Sequence, residues 1–365
     1  RGGVARWHPA TGEPGLSDPV AVLGEARATD LDLPPGGSLL PFGPDERRQP
    51  EPQREVEWSR VPGADEVTVV RDAPNVLTLD YVDVTVDGET QTGQYFYAAA
   101  QAVFRAHGLE ENPWDHAVQF GDELISKTFS EDSGFEAVYT FTIQADVPRE
   151  LFFVMERPDL YAITCNGRPI AAEPGDWWLD RSFGKIDIQA CAQVGENRDA
   201  VTARPFTKYH ELEAAEVVGA FALEPAERGC GIAPVRPLVL GPWKSQGLPL
   251  YGDAASYTRT FSVNADRGSA RYEVRLTDWY GSVARVSVNG KPAGHIWHAP
   301  WACDVTDLIR EGDNQITVTV IGTPKNPLGP HHGDPPLGFA GPNSFRKGPV
   351  PGPPPGAEYD TLDYG

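Results

Sequence analysis

Val283-Ala-Arg-Val-Ser-Val-Asn-Gly-Lys-Pro-Ala293, followed by Trp297, Trp301, Asp304-Val-Thr306 and Gly312-Asp-Asn314, decides the fold of this chain, because the same order occurs once before. The earlier copy runs Tyr161-Ala-Ile-Thr-Cys-Asn-Gly-Arg-Pro-Ile170, then Trp177, Trp178 and Asp180, then Ile186-Asp-Ile188 and Gly195-Glu-Asn197. Each copy reads as a strand, an Asn-Gly-basic-Pro turn, a tryptophan-bearing loop, an Asp-containing strand or turn, and a Gly-acid-Asn reversal before a last strand. Asn-Gly supplies the positive φ angles of a tight hairpin. The proline after it stiffens the way out of the turn. An ordered repeat of this length predicts two related β-sandwiches in tandem.

Working outward, strand signals dominate from residue 61 to 230. Val67–Val70, Asn75–Asp80, Val82–Val86, Ala137–Ile143, Leu151–Met155 and Tyr161–Cys165 alternate or run apolar with β-branched residues. One helix is predicted, over Tyr95–His107, as an insertion in this β region. A second series follows within residues 231–323: Ser256–Val263, Ala270–Thr277, Val283–Val288 and Gln315–Ile321, with a turn or cap at Asp304–Ile309. Residues 1–60 read as the end of a preceding β domain plus a linker, with a turn at Trp7–Glu13, a strand, turn and strand from Leu31 to Leu40, and a charged, proline-containing stretch from Pro44 to Glu57. Residues 324–365 read as an extended tail; 324–355 alone hold eleven of the 35 prolines. The expected class is all-β, with a short N-terminal β segment and a proline-rich C-terminal coil. A (β/α)₈ barrel, which needs eight helices, does not fit.

The 365 residues suit about two domains. A formal net charge of −21 makes nucleic acid and anionic membrane surfaces poor partners and leaves neutral polymers compatible. No run of about 18 apolar residues suggests a membrane-spanning helix. The chain opens at Arg1 and carries one methionine, Met155, so a segment upstream is expected. None of the four cysteines, Cys165, Cys191, Cys230 and Cys303, forms a CxxC pair or a zinc spacing. Cys165 and Cys303 occupy positions where a strand wants a small apolar residue. A Cys165–Cys191 bridge is geometrically allowed if their strands pair.

The pattern Val288-Asn-Gly-Lys-Pro292, Trp297, Trp301, Asp304-Val-Thr-Asp-Leu-Ile309 and Gly312-Asp-Asn314 resembles the jelly-roll sugar-binding domains that accompany glycoside hydrolase barrels, as in the β-galactosidase and β-glucuronidase family. A further resemblance is to the C-terminal halves of α-L-rhamnosidase-like proteins of glycoside hydrolase family 106. It is carried by Trp7–Glu13, Pro34–Ser38, Pro74–Asp80, Trp177–Phe183, Gly241–Tyr251, Asp278–Asn289 and Asn326–His332. The resemblance implies galactose-binding-like jelly rolls and a non-catalytic accessory region of a bacterial, secreted or periplasmic glycosidase, partnered by an N-terminal catalytic barrel and a carbohydrate. It also implies a structural calcium, for which no run here has a dedicated loop spacing. An autonomous carbohydrate-binding module and a structural adhesion protein are the rival readings.

Sugars present apolar C–H faces that stack on aromatic rings while carboxylates hold their hydroxyls. The candidate carbohydrate-binding residues are therefore Asp278, Trp279, Trp297 and Trp301 in the second copy, with Trp178 and Asp180 as counterparts in the first. Core or inter-domain packing is the competing role for these rings, with Trp177–Trp178 sending one ring to each face of a strand. Trp243 reads as structural. Glycoside hydrolysis needs a pair of carboxyl groups, for which Glu211, Glu213 and Glu216 are the densest candidates; Glu211 and Glu213 share one face of a strand, and a solvated or salt-bridged face is the favoured reading. His331 and His332 read as a plain exposed loop, as an element docking on the barrel, as a contact to a substrate hydroxyl or, with a further ligand such as Asp334, as a metal site. No catalytic residue and no metal ligand is assigned.

Overall fold

The computed structural model describes residues 4–7, 14–17, 21–23, 26–28 and 40–42 as strands, and then 58–63, 66–114, 119–227, 229–264, 270–328, 359 and 361–365. The expected turn at 34–38, the linker at 44–57 and His331, His332 and Asp334 lie outside the described residues. The chain divides into two compact units: residues 1–62 with 298–300, and 63–297 with 301–365. In the first unit Val4–Trp7 pairs antiparallel with Pro14–Ser17 and Leu40–Phe42, and Ala21–Leu23 forms a hairpin with Ala26–Ala28.

The second unit holds two hydrophobic cores, each under its own pair of sheets. Around the first core, an eight-stranded sheet is built on Phe135–Ile143, which pairs with Gly195–Ala203 on one side and with Tyr81–Val86 and Cys230–Ala233 on the other. Its residues alternate, so Phe135, Ala137, Tyr139, Phe141 and Ile143 all face inward. The facing five-stranded sheet runs Trp177–Trp178, Asp180–Asp187, Leu151–Glu156, Ala215–Gly219, Asn75–Leu79. The helix Phe96–Ala106 covers one end and buries Phe96, Ala99, Ala100, Val103 and Phe104. Around the second core, a five-stranded sheet runs Lys291–Ile296, Val283–Val288, Gly312–Ile321, Ala254–Val263, Thr68–Arg71, opposite a two-stranded ribbon of Glu273–Arg275 and Ala302–Asp304. The chain is all-β, built of β-sandwiches, as the repeat predicts.

Two details differ from the sequence reading. Thr68–Arg71, which its position in the chain groups with the first sandwich, hydrogen-bonds to Ala254–Val263 in the second. The tail is not wholly coil. Residues 325–328 form a helical turn, Tyr359 packs into the first core, and Tyr364 is buried in the second. Asn326 joins the tail to the body: its Oδ1 accepts from Leu362 N–H at 2.8 Å, and its Nδ2 donates to the carbonyls of Leu362 and Tyr251. Buried tyrosine area explains why so short a segment stays docked.

The repeat itself is a matched pair of hydrogen-bond networks. Asn166 and Asn289 have φ of 48° and 53°, and Gly167 and Gly290 follow at 77° and 75°. In the first copy Asn166 Nδ2 donates to Asn197 Oδ1 at 2.9 Å, and Asn166 Oδ1 accepts from Arg198 N–H. Asn197 Oδ1 also accepts from Gln193 N–H, while its Nδ2 donates to the carbonyls of Gln193 and Gly195. The second copy reproduces every bond. Asn289 Nδ2 donates to Asn314 Oδ1 at 2.9 Å, and Asn289 Oδ1 accepts from Gln315 N–H. Asn314 Oδ1 accepts from Arg310 N–H, and its Nδ2 donates to the carbonyls of Arg310 and Gly312. Asn197 and Asn314 are buried, so these bonds satisfy amides that water cannot reach. Replacing Asn314 by Ala leaves buried donors and carbonyls unmatched and is expected to cost about 2 kcal/mol or more. A urea-unfolding midpoint unchanged from the parent chain would contradict this.

Candidate functional site

The site grows from the two-stranded ribbon. Arg275 lies opposite Ala302, and Leu276 N–H donates to Trp301 C=O at 2.9 Å. This pairing carries the end of one strand past the start of the other. Trp279 and Trp301 thereby meet edge to face, with ring centroids 5.5 Å apart and planes at 78°. Trp279 rests on the second core, whereas Trp301 keeps 40% of its surface exposed. Gly281 makes room for the Trp279 ring: a Cβ there would lie 2.7 Å from Val320 Cγ1 and 3.1 Å from Trp279 Cζ3. Asp278 is exposed beside Trp279. Trp297, directly after Lys291–Ile296, is 56% exposed. Tyr280 exchanges backbone hydrogen bonds with Gly365 and stacks on Tyr364 at 5.8 Å. Behind this layer Trp243 is buried, donates its indole N–H to Tyr257 Oη at 2.7 Å, and packs on Tyr251 and Tyr364.

Of the six candidates, the structure brings Trp279 and Trp301 into contact, with Asp278 next to Trp279 in the chain. Trp178 and Asp180 pair across a separate tight hairpin, with Leu179 at φ 61° between them. The Trp178 ring leans on the first core, and Trp177 points outward. Asp180 accepts from Ser182 N–H and Oγ, which holds its carboxyl below the usual range. Gly281 and Tyr364 went unread in the sequence, because their roles arise only when the tail and the ribbon come together. A separate open groove of about 300 Å³, lined by Val69, Arg71, Phe221, Val235 and Leu238, contains none of the six.

The acidic residues behave differently from their sequence reading. Glu211 and Glu213 lie ahead of the strand Ala215–Gly219 rather than on it. Their carbonyls accept from Tyr161 Oη and Tyr139 Oη, and Glu211 Oε1 accepts from Asn112 Nδ2. Glu216, on the strand, is wholly buried rather than solvated, and burial holds its carboxyl well above the usual range. Among the described residues no three His, Cys, Asp or Glu side chains converge as metal ligands. No described helix is long and apolar enough to cross a membrane.

The geometry defines a class: a β-sandwich protein with an aromatic surface patch on one ribbon. No protein-family model matches the chain. Over 96 residues, 23% of the chain, it is 35% identical to a protein of Formosa agariphila named "Putative beta-glucuronidase" and covers 8% of that protein. Among solved structures it is similar to the β-D-mannosidase of Dictyoglomus thermophilum (11% identity, TM-score 0.28, 68% of this chain and 31% of that one). It is also similar to the α-L-rhamnosidase of Streptomyces avermitilis (16% identity, TM-score 0.25, 61% and 24%). A third is the rhamnosidase of Novosphingobium sp. PP1Y (22% identity, TM-score 0.19, 54% and 18%). The chain thus spans a small part of each.

Asp199 provides a test of the electrostatics. Its carboxyl is buried opposite Cys165, with neither oxygen in hydrogen-bonding geometry, and burial raises it from 3.8 to about 7. The folded chain therefore holds a proton that the unfolded chain releases, so stability falls as pH rises from about 4 to about 7. Asp199→Asn is expected to remove this slope and to raise the melting temperature at pH 7. Parallel stability–pH curves for the two chains over that window would refute it.

Proposed function

We propose that this chain is the non-catalytic accessory region of a carbohydrate-degrading glycoside hydrolase, α-L-rhamnosidase-like, and that its second sandwich contacts the sugar. The observation that carries the reading is the Trp279–Trp301 pair with Asp278 and exposed Trp297. An edge-to-face pair fixes one ring so that its neighbour offers a rigid apolar surface to a pyranose, at little entropic cost. Asp278 supplies an acceptor for hydroxyls at the edge of that surface. The sequence resemblance of the repeat and the 35% identity with the Formosa agariphila protein support the glycosidase setting. In that setting the bonds broken belong to a separate catalytic barrel, and this chain holds or orients the polymer.

Titration with rhamnose-containing and galactose-containing oligosaccharides, followed by tryptophan fluorescence, tests the reading. Saturable quenching is expected, stronger with the rhamnose series. Trp301→Ala and Trp297→Ala should weaken it about tenfold, the value of one good stacking contact. Absence of quenching by either series, or quenching unchanged in both variants, would leave the patch as packing alone.

A further inference from the structure

The matched Asn networks align the two sandwiches residue by residue, and at one place the chemistry diverges. Cys165 precedes Asn166 as Val288 precedes Asn289. Asp199 lies two residues after Asn197, as Ile316 lies two after Asn314, and the strand pairings Cys165–Asp199 and Val288–Ile316 correspond. The carbonyl that receives the Asn Nδ2 belongs to Cys191 in the first copy, at 2.9 Å, and to Leu308 in the second. A valine, a leucine and an isoleucine therefore fill this spot in one sandwich, while two thiols and a carboxyl fill it in the other. The fold does not require the polar set, since its own second copy does without it.

The three residues are neighbours. Cys165 lies directly opposite Asp199 in the strand pairing, and Cys191 Sγ faces Ile188 C=O at 3.3 Å. Cys165 and Asp199 are inaccessible to solvent, whereas Cys191 is partly exposed and all four cysteines are free thiols. The Asn166–Cys191 hydrogen bond holds residue 191 beside the end of the Cys165 strand independently of the sulfurs.

We propose that Cys191 and Cys165 are a dithiol–disulfide pair, with Cys191 the entry thiol and Cys165 the resolving thiol. A small disulfide such as oxidised glutathione supplies the two oxidising equivalents. The Cys191 thiolate attacks one of its sulfurs, forming a mixed disulfide and releasing one glutathione thiolate. The Cys165 sulfur attacks Cys191 Sγ, and its proton leaves with the second glutathione, which departs as a thiol. Two protein thiols are oxidised and one glutathione disulfide is reduced to two thiols. The product clips the segment between residues 165 and 191 and restrains the unfolded chain. Cys230, beside Asp80 and Tyr359, and Cys303, whose Sγ faces Asp304 C=O at 3.7 Å, sit elsewhere and serve as internal controls.

The test is incubation of the folded chain with oxidised glutathione, followed by peptide mass mapping without reductant. Loss of two of the four thiols, a linked Cys165–Cys191 peptide and an upward shift in melting temperature are expected. Cys165→Ser should trap glutathione on Cys191, and Cys191→Ser should leave Cys165 unmodified. A persistent mixed disulfide on Cys191 in the parent chain, or a bridge to Cys230 or Cys303, would overturn the pair.

Discussion

The side-chain amides of Asn197 and Asn314 are the contacts on which each sandwich turns. Each is buried, and each closes a reversal onto itself while gripping the amide of the Asn-Gly hairpin opposite. The bond joins residues 31 positions apart in the first copy and 25 apart in the second, so it sets the register of the strand that the reversal opens. For the second copy that strand is Gly312–Ile321, the centre of its sheet. A one-residue slip would turn its inward side chains to the other face. The amide can satisfy its donors and acceptors at one register, which makes it a specificity device as well as a source of stability.

From that frame the aromatic patch follows by geometry. Val283–Val288 and Gly312–Ile321 fix the sheet, the ribbon of Glu273–Arg275 and Ala302–Asp304 closes over the second core, and Trp279 and Trp301 emerge where the ribbon ends. The tail then backs the layer: Tyr364 lies between Trp243 and Tyr280, and Thr323 Oγ1 meets Tyr364 Oη at 2.6 Å. Aromatic rings held this way lose little freedom when a ligand arrives, which favours binding by preorganisation.

Much of this fold was legible in the residues because hydrophobic alternation and Asn-Gly turns are local signals. Phe135–Ile143 and Val283–Val288 show them plainly, and the helix Phe96–Ala106 lies within one residue at each end of the predicted span. Gly195–Ala203 is harder to read, since two of its inward positions are Asn197 and Asp199, which an apolar pattern misses. Ala215–Gly219 is buried on both faces and carries Glu216, so it looks like an acidic surface in sequence. The placement of Thr68–Arg71 depends on a partner nearly two hundred positions away, and no local rule carries that information. The same holds for the candidate site. The tryptophans could be named from sequence, but the pairing of Trp279 with Trp301, the seat that Gly281 leaves and the backing by Tyr364 depend on long-range contacts.

A sugar-binding role for the second sandwich stands or falls on which of the nine tryptophans a glycan touches. Selective nitrogen-15 labelling of the indoles, with spectra recorded as a rhamnose-containing oligosaccharide is added, reads that out ring by ring. Graded shifts are expected for Trp279, Trp297 and Trp301 while buried Trp243 stays fixed. Shifts confined to Trp177 and Trp178, or no shift in any indole, would contradict it.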